Sequence, residues 1–205
     1  MIYLDYASTA PLRNEVLEAM LPYLKEDFGN PDSLHAVGRR AALALQNARD
    51  EIAALLGVRA AEAYFTSGGT EADNWALRGA AHANAARGKR VVVSAVEHPA
   101  VAEAARILAG EGFEVAVCPV DAEGVLDLDA FEQLVGEGAC LAAVMAVNNE
   151  TGAVQPVAEA VRICRERGAL LFCDAVQAAG AYALRVGDIP ADLLSISAHK
   201  FGGPK

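Results

Sequence analysis

The chain has 205 residues, of which 54% are hydrophobic, 21% charged and 6% aromatic, and its formal net charge at pH 7 is -10. This length is enough for one large domain with a substantial buried core. Because the negative charge is spread along the chain and repels a phosphate backbone, we expect no general binding of nucleic acid.

The first sixty residues are predicted to form a helical N-terminal segment, an arm or outer layer covering residues 1–60. Apolar residues recur every four positions in residues 12–27 and at spacings of three and four in residues 37–56, where Gly57 supplies a stop. The segment FGNPDS separates these two helices because glycine and proline are unfavourable inside a helix.

From residue 61 to residue 205, apolar strands alternate with helices. The predicted strands are the segments EAYFT, RVVVSAV, FEVAVCPV, CLAAVMAV, ALLFCDA and DLLSIS, and the predicted helices cover residues 70–87, 99–111, 129–135 and 156–167. This alternation predicts an α/β fold with a mainly parallel sheet covered by helices on both faces. Right-handed crossovers then bring the loops that follow the strands to one edge, where open α/β sheets bind ligands.

Other classes of protein are disfavoured by the same sequence. The longest apolar run, residues 140–147, is too short to cross a bilayer, and the N-terminus shows no signal-peptide pattern, so we expect a cytoplasmic protein without a membrane partner. No cysteine pair has C-x-x-C spacing and no histidine pair has H-E-x-x-H spacing, so we expect no metal. The cysteines lie among apolar residues and are predicted to be reduced core residues: Cys118, Cys140, Cys164 and Cys173.

An anion site is predicted after the segment EAYFT. Gly68 and Gly69 allow close approach of the backbone to a ligand, and the free N–H groups of a helix start favour negative charge. Thr70 is suited to cap the helix and to donate to a phosphate. The S-G-G-T pattern alone is equally compatible with an ordinary capped turn.

Polar residues follow two of the later strands. His98 follows RVVVSAV directly before a proline, a position where a histidine is more often structural than catalytic. Asn148 and Asn149 follow CLAAVMAV and are either turn residues or donors to a ligand oxygen.

The last two strands end in an acid and an amine. Asp174 follows ALLFC and is either a partly buried carboxylate that needs a cationic or hydrogen-bonding partner, or a helix cap that leaves Gln177 facing solvent. Ser197, His199 and Lys200 follow DLLSIS, and a lysine among small polar residues is a candidate Schiff-base former. Five strand ends thus offer an anion cradle, an imidazole, an amide, an acid and an amine, which together suit pyridoxal 5'-phosphate.

The same segments resemble a known family. The strings YLDYASTAP, FGNPDSLH, FTSGGTEADN, EHPAV, NNETGAVQP, DAVQAAG and SISAHKFGGPK resemble, in order and spacing, the NifS/IscS-type cysteine desulfurases of the class V branch of fold-type I pyridoxal-phosphate enzymes. The resemblance covers residues 2–205. The chain departs from the family at Ser8, Thr9 and Ala10, where A-T-T-P is usual, and at Asp32, where a small residue is commoner.

The resemblance implies a role for each site residue. Lys200 would bond the cofactor's aldehyde and later act as a base, while Asp174 would pair with the pyridine nitrogen. His98 would stack over the ring and shuttle protons, and Gln177 would bond the phenolic oxygen. Asn149 would lie near that oxygen and bind the substrate carboxylate. The phosphate would be held by Gly69, Thr70, Ser197 and His199.

The resemblance also implies the architecture and the reaction. Residues 61–205 would be an incomplete large domain of the fold-type I transferase fold, with a seven-stranded-type sheet and without the family's small C-terminal domain. L-cysteine would yield L-alanine and an enzyme persulfide, which a homodimer would pass to a sulfur-acceptor scaffold or carrier protein for iron–sulfur cluster assembly or tRNA thiolation. The family's loop cysteine and substrate-binding arginine lie beyond the lysine and have no match here, so we expect residues 1–205 alone to be inactive.

Two alternatives stay open from the sequence. Another class V enzyme, such as a selenocysteine lyase or a cysteine-sulfinate-type lyase, would carry the same cofactor set. A non-catalytic fragment or interaction module would keep the fold, but it would have no need of Lys200, Asp174 and His98 together.

Overall fold

The structure is a computed structural model of the chain, and it describes residues 2–136, 138–181 and 189–205. These residues divide into two compact units. The first contains residues 2–65 and 198–205, and the second contains residues 66–136, 138–181 and 189–197. The predicted division into a segment of residues 1–60 and a cofactor-binding domain of residues 61–205 stays a prediction.

The first unit is helical, as the periodicity predicts. Helix α1 spans Asn14–Lys25 and helix α2 spans Ala36–Leu56, followed by a 3-10 turn at Ala60–Glu62. The imidazole of His35 caps α2 by accepting a hydrogen bond from the backbone N–H of Gly38. Gly57 closes α2 in the left-handed conformation, with φ of 73°, which a glycine adopts at little cost.

The second unit contains a parallel five-stranded sheet with flanking helices. Its strands are β1 (Arg90–Ser94), β2 (Glu114–Cys118), β3 (Ala139–Ala143), β4 (Leu170–Asp174) and β5 (Leu193–Ser195). They lie in the order β2-β1-β3-β4-β5, and every pairing is parallel. Its helices are α3 (Gly69–Ala83), α4 (Pro99–Gly110), α5 (Leu128–Gly136) and α6 (Val157–Arg167). The predicted α/β class is therefore confirmed.

Both faces of the sheet are covered. Val91 and Val93 of β1 pack into a core cluster with Leu77 of α3 and Val101 of α4. Val92 points to the opposite face, because side chains alternate along a strand, and it is also fully buried. The helices pack as two pairs, α3 with α4 and α5 with α6. Near-continuous apolar strands such as RVVVS and ACLAA are the expected composition for a sheet buried on both sides.

One predicted strand is wrong. The segment EAYFT begins in the 3-10 turn, and residues 63–66 pair with no strand of the described residues, although Ala63 has an extended backbone. A strand requires a hydrogen-bonded neighbour as well as an apolar pattern, and among the described residues this segment has the pattern without the neighbour. The described residues accordingly form five strands, where the family resemblance implied a seven-stranded type. Among these residues, no helix combines the length and apolarity needed to cross a membrane.

Candidate active site

The candidate site in the second unit lies where parallel strands end. The loops after β1, β3, β4 and β5 meet at the same edge of the sheet because these strands run in one direction. Backbone hydrogen bonds continue past the strands, from Ala146 N–H to the carbonyl of Asp174 and from Ala175 N–H to the carbonyl of Ser195. These bonds hold the strand-end loops in register beside one another.

The start of α3 forms a cradle with little room for side chains. Gly68 precedes the helix in a fully extended conformation, and Gly69 is the first helical residue. A Cβ added at Gly69 would lie 3.3 Å from Cγ2 of Val176 and 3.4 Å from Cβ of Ser197, so the loops after β4 and β5 press against this helix start. Thr70 is the second helical residue and is exposed, which makes the prediction that it caps the helix wrong.

Asp174 is the last residue of β4 and is 4% exposed. Its Oδ1 accepts a hydrogen bond of 2.9 Å from the backbone N–H of Val176, which folds the chain into a turn. No helix follows within residues 175–181, so the reading of Asp174 as a helix cap is wrong. Gln177 is half-buried in the same turn rather than facing solvent.

His98 caps helix α4. Its Nδ1 accepts a hydrogen bond of 3.1 Å from the backbone N–H of Ala100, so the neutral imidazole carries its proton on Nε2. The structural role that a histidine commonly has at a helix start is therefore present. The hydrogen bond from Ala100 uses only one ring nitrogen of His98 and fixes the tautomer of the half-buried ring.

The two neighbouring asparagines have different environments. Asn148 is buried, and its Nδ2 donates to the carbonyl of Val96, while its Oδ1 accepts from the backbone N–H groups of Glu150 and Thr151. Asn149 is half-buried, and its Nδ2 donates to the carboxylate of Glu150 over 2.7 Å. Asn148 is thus a turn residue, whereas Asn149 contacts only a neighbouring side chain among the hydrogen bonds described for it.

Two further acids lie at this edge of the sheet and were missed from the sequence. Asp73 of α3 is buried and accepts a hydrogen bond of 2.6 Å from the hydroxyl of Ser195, the residue paired with Asp174 on β5. Burial and the neighbouring charge of Asp174 raise the pKa of Asp73 to about 7, against the opposing effect of the Ser195 bond. Glu97, which directly precedes His98, has a pKa raised to about 8, chiefly by burial. The signal that could have found Asp73 is its position on the inward face of an amphipathic helix, four residues before Leu77.

His199 and Lys200 lie in the first unit, in a 3-10 turn of Ala198–Lys200. The amine of Lys200 donates a hydrogen bond of 2.6 Å to the carbonyl of Ala7, and Nδ1 of His199 lies 3.0 Å from the hydroxyl of Thr9. Burial, followed by the charges of Lys200 and Lys205, lowers the pKa of His199. The loop at which the sequence departs from the family pattern is therefore the loop that contacts these two residues.

After Lys200, the backbone at Gly202 and Gly203 lies close to Arg13 and Ala198, respectively. The carbonyl of Gly202 accepts a hydrogen bond from the backbone N–H of Arg13, and Gly203 N–H donates to the carbonyl of Ala198. A Cβ at Gly203 would lie 2.6 Å from the Cβ of Ala198, which is closer than real atoms approach. The predicted site residues therefore fall into two sets, His199 and Lys200 in the first unit and the remaining seven in the second.

All four cysteines belong to the second unit, are buried and are not in disulfides, as predicted. Burial raises the pKa of Cys118 and of Cys164 to about 12, and it also raises those of Cys140 and Cys173. Thiols in such environments carry almost no thiolate at neutral pH and react poorly.

The fold and the strand-end residues define an α/β protein whose parallel sheet carries an acid, an imidazole and a glycine-started helix along one edge. Residues 2–205 match the sequence model of the family described as Aminotransferase class-V, and the chain belongs to that family. Cysteine desulfurase IscS of Dictyoglomus turgidum is 46% identical over 204 residues, and that of Anaeromyxobacter sp. (strain Fw109-5) is 47% identical over 205 residues. Each comparison covers all of this chain and 52% and 51% of the relative, respectively, so the chain spans about half the length of the curated relatives it matches.

Solved structures give the same result. A NifS-like protein aligns with a TM-score of 0.95 at 39% identity, over 100% of this chain and 56% of that one. A structure described as SspA in complex with cysteine aligns with a TM-score of 0.93 at 32% identity, over 100% of this chain and 59% of the other. The resemblance to NifS/IscS-type proteins, predicted from seven sequence segments, is confirmed.

Proposed function

We propose that this chain forms the cofactor-binding part of a pyridoxal 5'-phosphate-dependent cysteine desulfurase, which converts L-cysteine to L-alanine and a persulfide. The observation that carries the proposal is the identity of 41–47% to curated cysteine desulfurases along the whole chain. The chemistry of the residues supports it, because an anion cradle, a buried carboxylate, an imidazole and a primary amine are the groups that this cofactor needs.

The start of α3 is suited to bind the phosphate. The N–H groups of the first helical turn point out of the helix and favour an anion. Gly69 leaves no side chain between this backbone and the hydroxyl of Ser197, to which an added Cβ would come within 3.7 Å. The exposed hydroxyl of Thr70 supplies a further donor. His199 is proposed to complete the phosphate site.

Asp174 and His98 are suited to orient and polarise the ring. When bound, the cofactor withdraws electrons from the substrate's α-carbon, most strongly with its pyridine nitrogen protonated. The buried carboxylate of Asp174 would hold that proton at the nitrogen. Because Nδ1 of His98 is engaged by helix α4, this ring offers its Nε2–H, so a proton would leave and return at Nε2. Gln177 and Asn149 would donate to the phenolic oxygen, and Asn149 also to the substrate carboxylate.

Lys200 is proposed as the residue that carries the cofactor and then moves a proton at its Nζ. Its amine donates to the carbonyl of Ala7, which fixes the side chain within the first unit. The lowered pKa of His199 keeps the neighbouring imidazole uncharged, so it adds no cation beside this amine at neutral pH.

The sulfur acceptor is expected outside residues 1–205. The attacking thiolate would form an S–S bond to the substrate sulfur while the C–S bond breaks, and the carbon would take a proton to give alanine. None of the four cysteines is suited to that attack, because each is buried with a raised pKa. We therefore propose that residues 1–205 alone release no sulfide. A homodimer, a sulfur-accepting scaffold or carrier protein, and use in iron–sulfur assembly or tRNA thiolation are proposed with the family assignment.

The test uses the intact protein that contains this sequence, incubated with pyridoxal 5'-phosphate. We expect a visible absorbance band and formation of alanine from L-cysteine, and we expect Lys200→Ala to lose both. Lys25→Ala, which removes an exposed lysine from α1, should keep both. A protein that stays colourless with excess cofactor would contradict the cofactor assignment. Faster release of selenide from L-selenocysteine with no sulfide from L-cysteine would favour the selenocysteine lyase alternative.

A further inference from the structure

Glu97 links two strand-end loops of the second unit. It lies in the loop after β1, directly before His98, and its Oε1 accepts a hydrogen bond of 2.7 Å from the backbone N–H of Met145 in the loop after β3. Asn148 repeats the link in the other direction by donating from its Nδ2 to the carbonyl of Val96. The residue before His98 is therefore fixed to the loop after β3 through its side chain, and the residue before that is fixed to it through its backbone.

The second oxygen of Glu97 is buried and has no hydrogen-bond partner. Within the second unit, none of the described lysines or arginines forms an ion pair with this carboxyl group. A buried carboxylate with one hydrogen bond and no cation is far less stable than the neutral acid.

The groups that face Glu97 add to this effect. Asp174 and Cys173 lie at the end of β4 and Asp73 lies on α3, and negative charge on either aspartate further raises the pKa of Glu97, which is about 8. Asp174 is joined to this region through the bond between its carbonyl and Ala146 N–H, one residue after Met145. Among the described residues, no group of three or more His, Cys, Asp or Glu side chains is placed to hold a metal ion.

We propose that Glu97 is a positioning residue of the candidate active site, a neutral carboxylic acid that holds the His98 loop against the loop after β3 and leaves the negative charge of this region to Asp174. The inference rests on the proposed function for its consequence at the cofactor. If Glu97 were ionised, its charge would repel that of Asp174 in this buried region and make the ionised form of Asp174 less stable. Neutral Glu97 supplies the same acceptor to Met145 without that repulsion.

The experiment compares Glu97→Gln with Glu123→Gln, the same chemical change at an exposed position, in the intact protein. In cofactor-free protein at pH 6.5, infrared difference spectra should show that Glu97→Gln removes one carboxylic acid signal and no carboxylate signal. Glu123→Gln should leave that carboxylic acid signal in place. In protein with pyridoxal 5'-phosphate at pH 6.5, the visible absorbance should be unchanged by Glu97→Gln, because a neutral group replaces a neutral group, whereas Glu97→Ala should weaken cofactor binding.

The outcomes separate this inference from the proposed function. Loss of a carboxylate signal in Glu97→Gln, or a changed visible spectrum at pH 6.5, would show that Glu97 is charged and would overturn the inference. A colourless protein that still shows the carboxylic acid signal would contradict the cofactor assignment and leave the protonation of Glu97 established. Should Glu97→Gln fail to fold, carbon-13 NMR of wild-type protein labelled at glutamate carboxyls decides the question. One glutamate carboxyl must then give the signal of a protonated acid at pH 6.5, and its absence overturns the inference.

Discussion

Asp73→Asn should stabilise the protein in a pH-dependent way. Asp73 is 2% exposed, and its pKa is raised from an ordinary value of 3.8 to about 7. Asparagine has nearly the same shape and keeps an acceptor for the hydroxyl of Ser195, which donates to Oδ1 of Asp73 over 2.6 Å. The variant therefore removes the ionisation and retains the contact.

The sign follows from proton binding. Between pH 4 and pH 7 the folded state holds a proton on Asp73 that the unfolded state has released, so the free energy of unfolding falls as pH rises. Because the pKa of Asp73 is raised by about three units, its ionisation lowers the free energy of unfolding of the wild type relative to Asp73→Asn. Over the whole titration this decrease amounts to about 4 kcal/mol. Between pH 5 and pH 8, where both forms are convenient to measure, the difference between the two proteins should change by about 2.5 kcal/mol.

The measurement is urea denaturation of the cofactor-free intact protein at pH 5, 6, 7 and 8. Asp129→Asn changes an exposed aspartate on α5 of the same unit and serves as the control, with a difference from wild type that should not vary with pH in this way. A stability difference for Asp73→Asn that is the same at pH 5 and pH 8 would refute the reasoning. So would a variant that is less stable than wild type only at pH 8, because the fold would then depend on the ionised carboxylate.

Three other substitutions or treatments have defined outcomes. Gly203→Ala should cost about 1–3 kcal/mol of stability and lower the melting temperature, because its Cβ would meet the Cβ and carbonyl of Ala198, whereas Gly110→Ala, which would meet nothing within 4 Å, should be neutral or slightly stabilising. Asn148→Ala should cost about 1–3 kcal/mol of stability by leaving the N–H groups of Glu150 and Thr151 without their acceptor. Asn149→Ala should change stability by less than about 0.5 kcal/mol and, under the proposed function, should weaken binding of L-cysteine. Equal stability losses in the two variants would contradict the distinction between the two residues. Iodoacetamide treatment of the folded protein, followed by mass spectrometry of its peptides, should leave the four cysteines unlabelled until denaturant is added, and rapid labelling of any of them in the native protein would show that its thiol is accessible.

Much of the second unit could be predicted because its strands are short apolar runs and its helices have clear periodicity. Short apolar segments such as RVVVS and ACLAA are compatible with buried strands or buried helices. Because the segments between them have the periodicity of helices, the apolar segments are predicted to be strands. EAYFT carries the same local signal and still forms no strand among the described residues, because pairing depends on a neighbour that local sequence does not specify. Periodicity therefore predicts where strands can form but not whether each finds a partner.

The candidate site was less predictable, because burial and hydrogen bonding decide the role of each polar residue. Asn148 and Asn149 have identical side chains in adjacent positions. Only the fold shows that the amide of Asn148 donates to the carbonyl of Val96 and accepts from a backbone N–H of the following turn. Asp73 and Glu97 resemble ordinary helix and loop acids in the sequence. Their raised pKa values arise chiefly from burial, and the charge of Asp174, which is distant along the chain from both, adds to the effect. The assignments of Lys200 and the phosphate residues stay predictions.

The abundance of alanine in the core affects how the protein tolerates mutation. Many fully buried positions carry a methyl group as their whole side chain, among them Ala81, Ala104, Ala142, Ala143 and Ala160. Truncation at such sites removes almost nothing, whereas enlargement by even two carbons must displace a helix or a strand. Random mutagenesis should therefore damage this domain mainly through residues that become larger. A library built to stabilise it should keep the buried alanines fixed and vary the exposed helix positions instead.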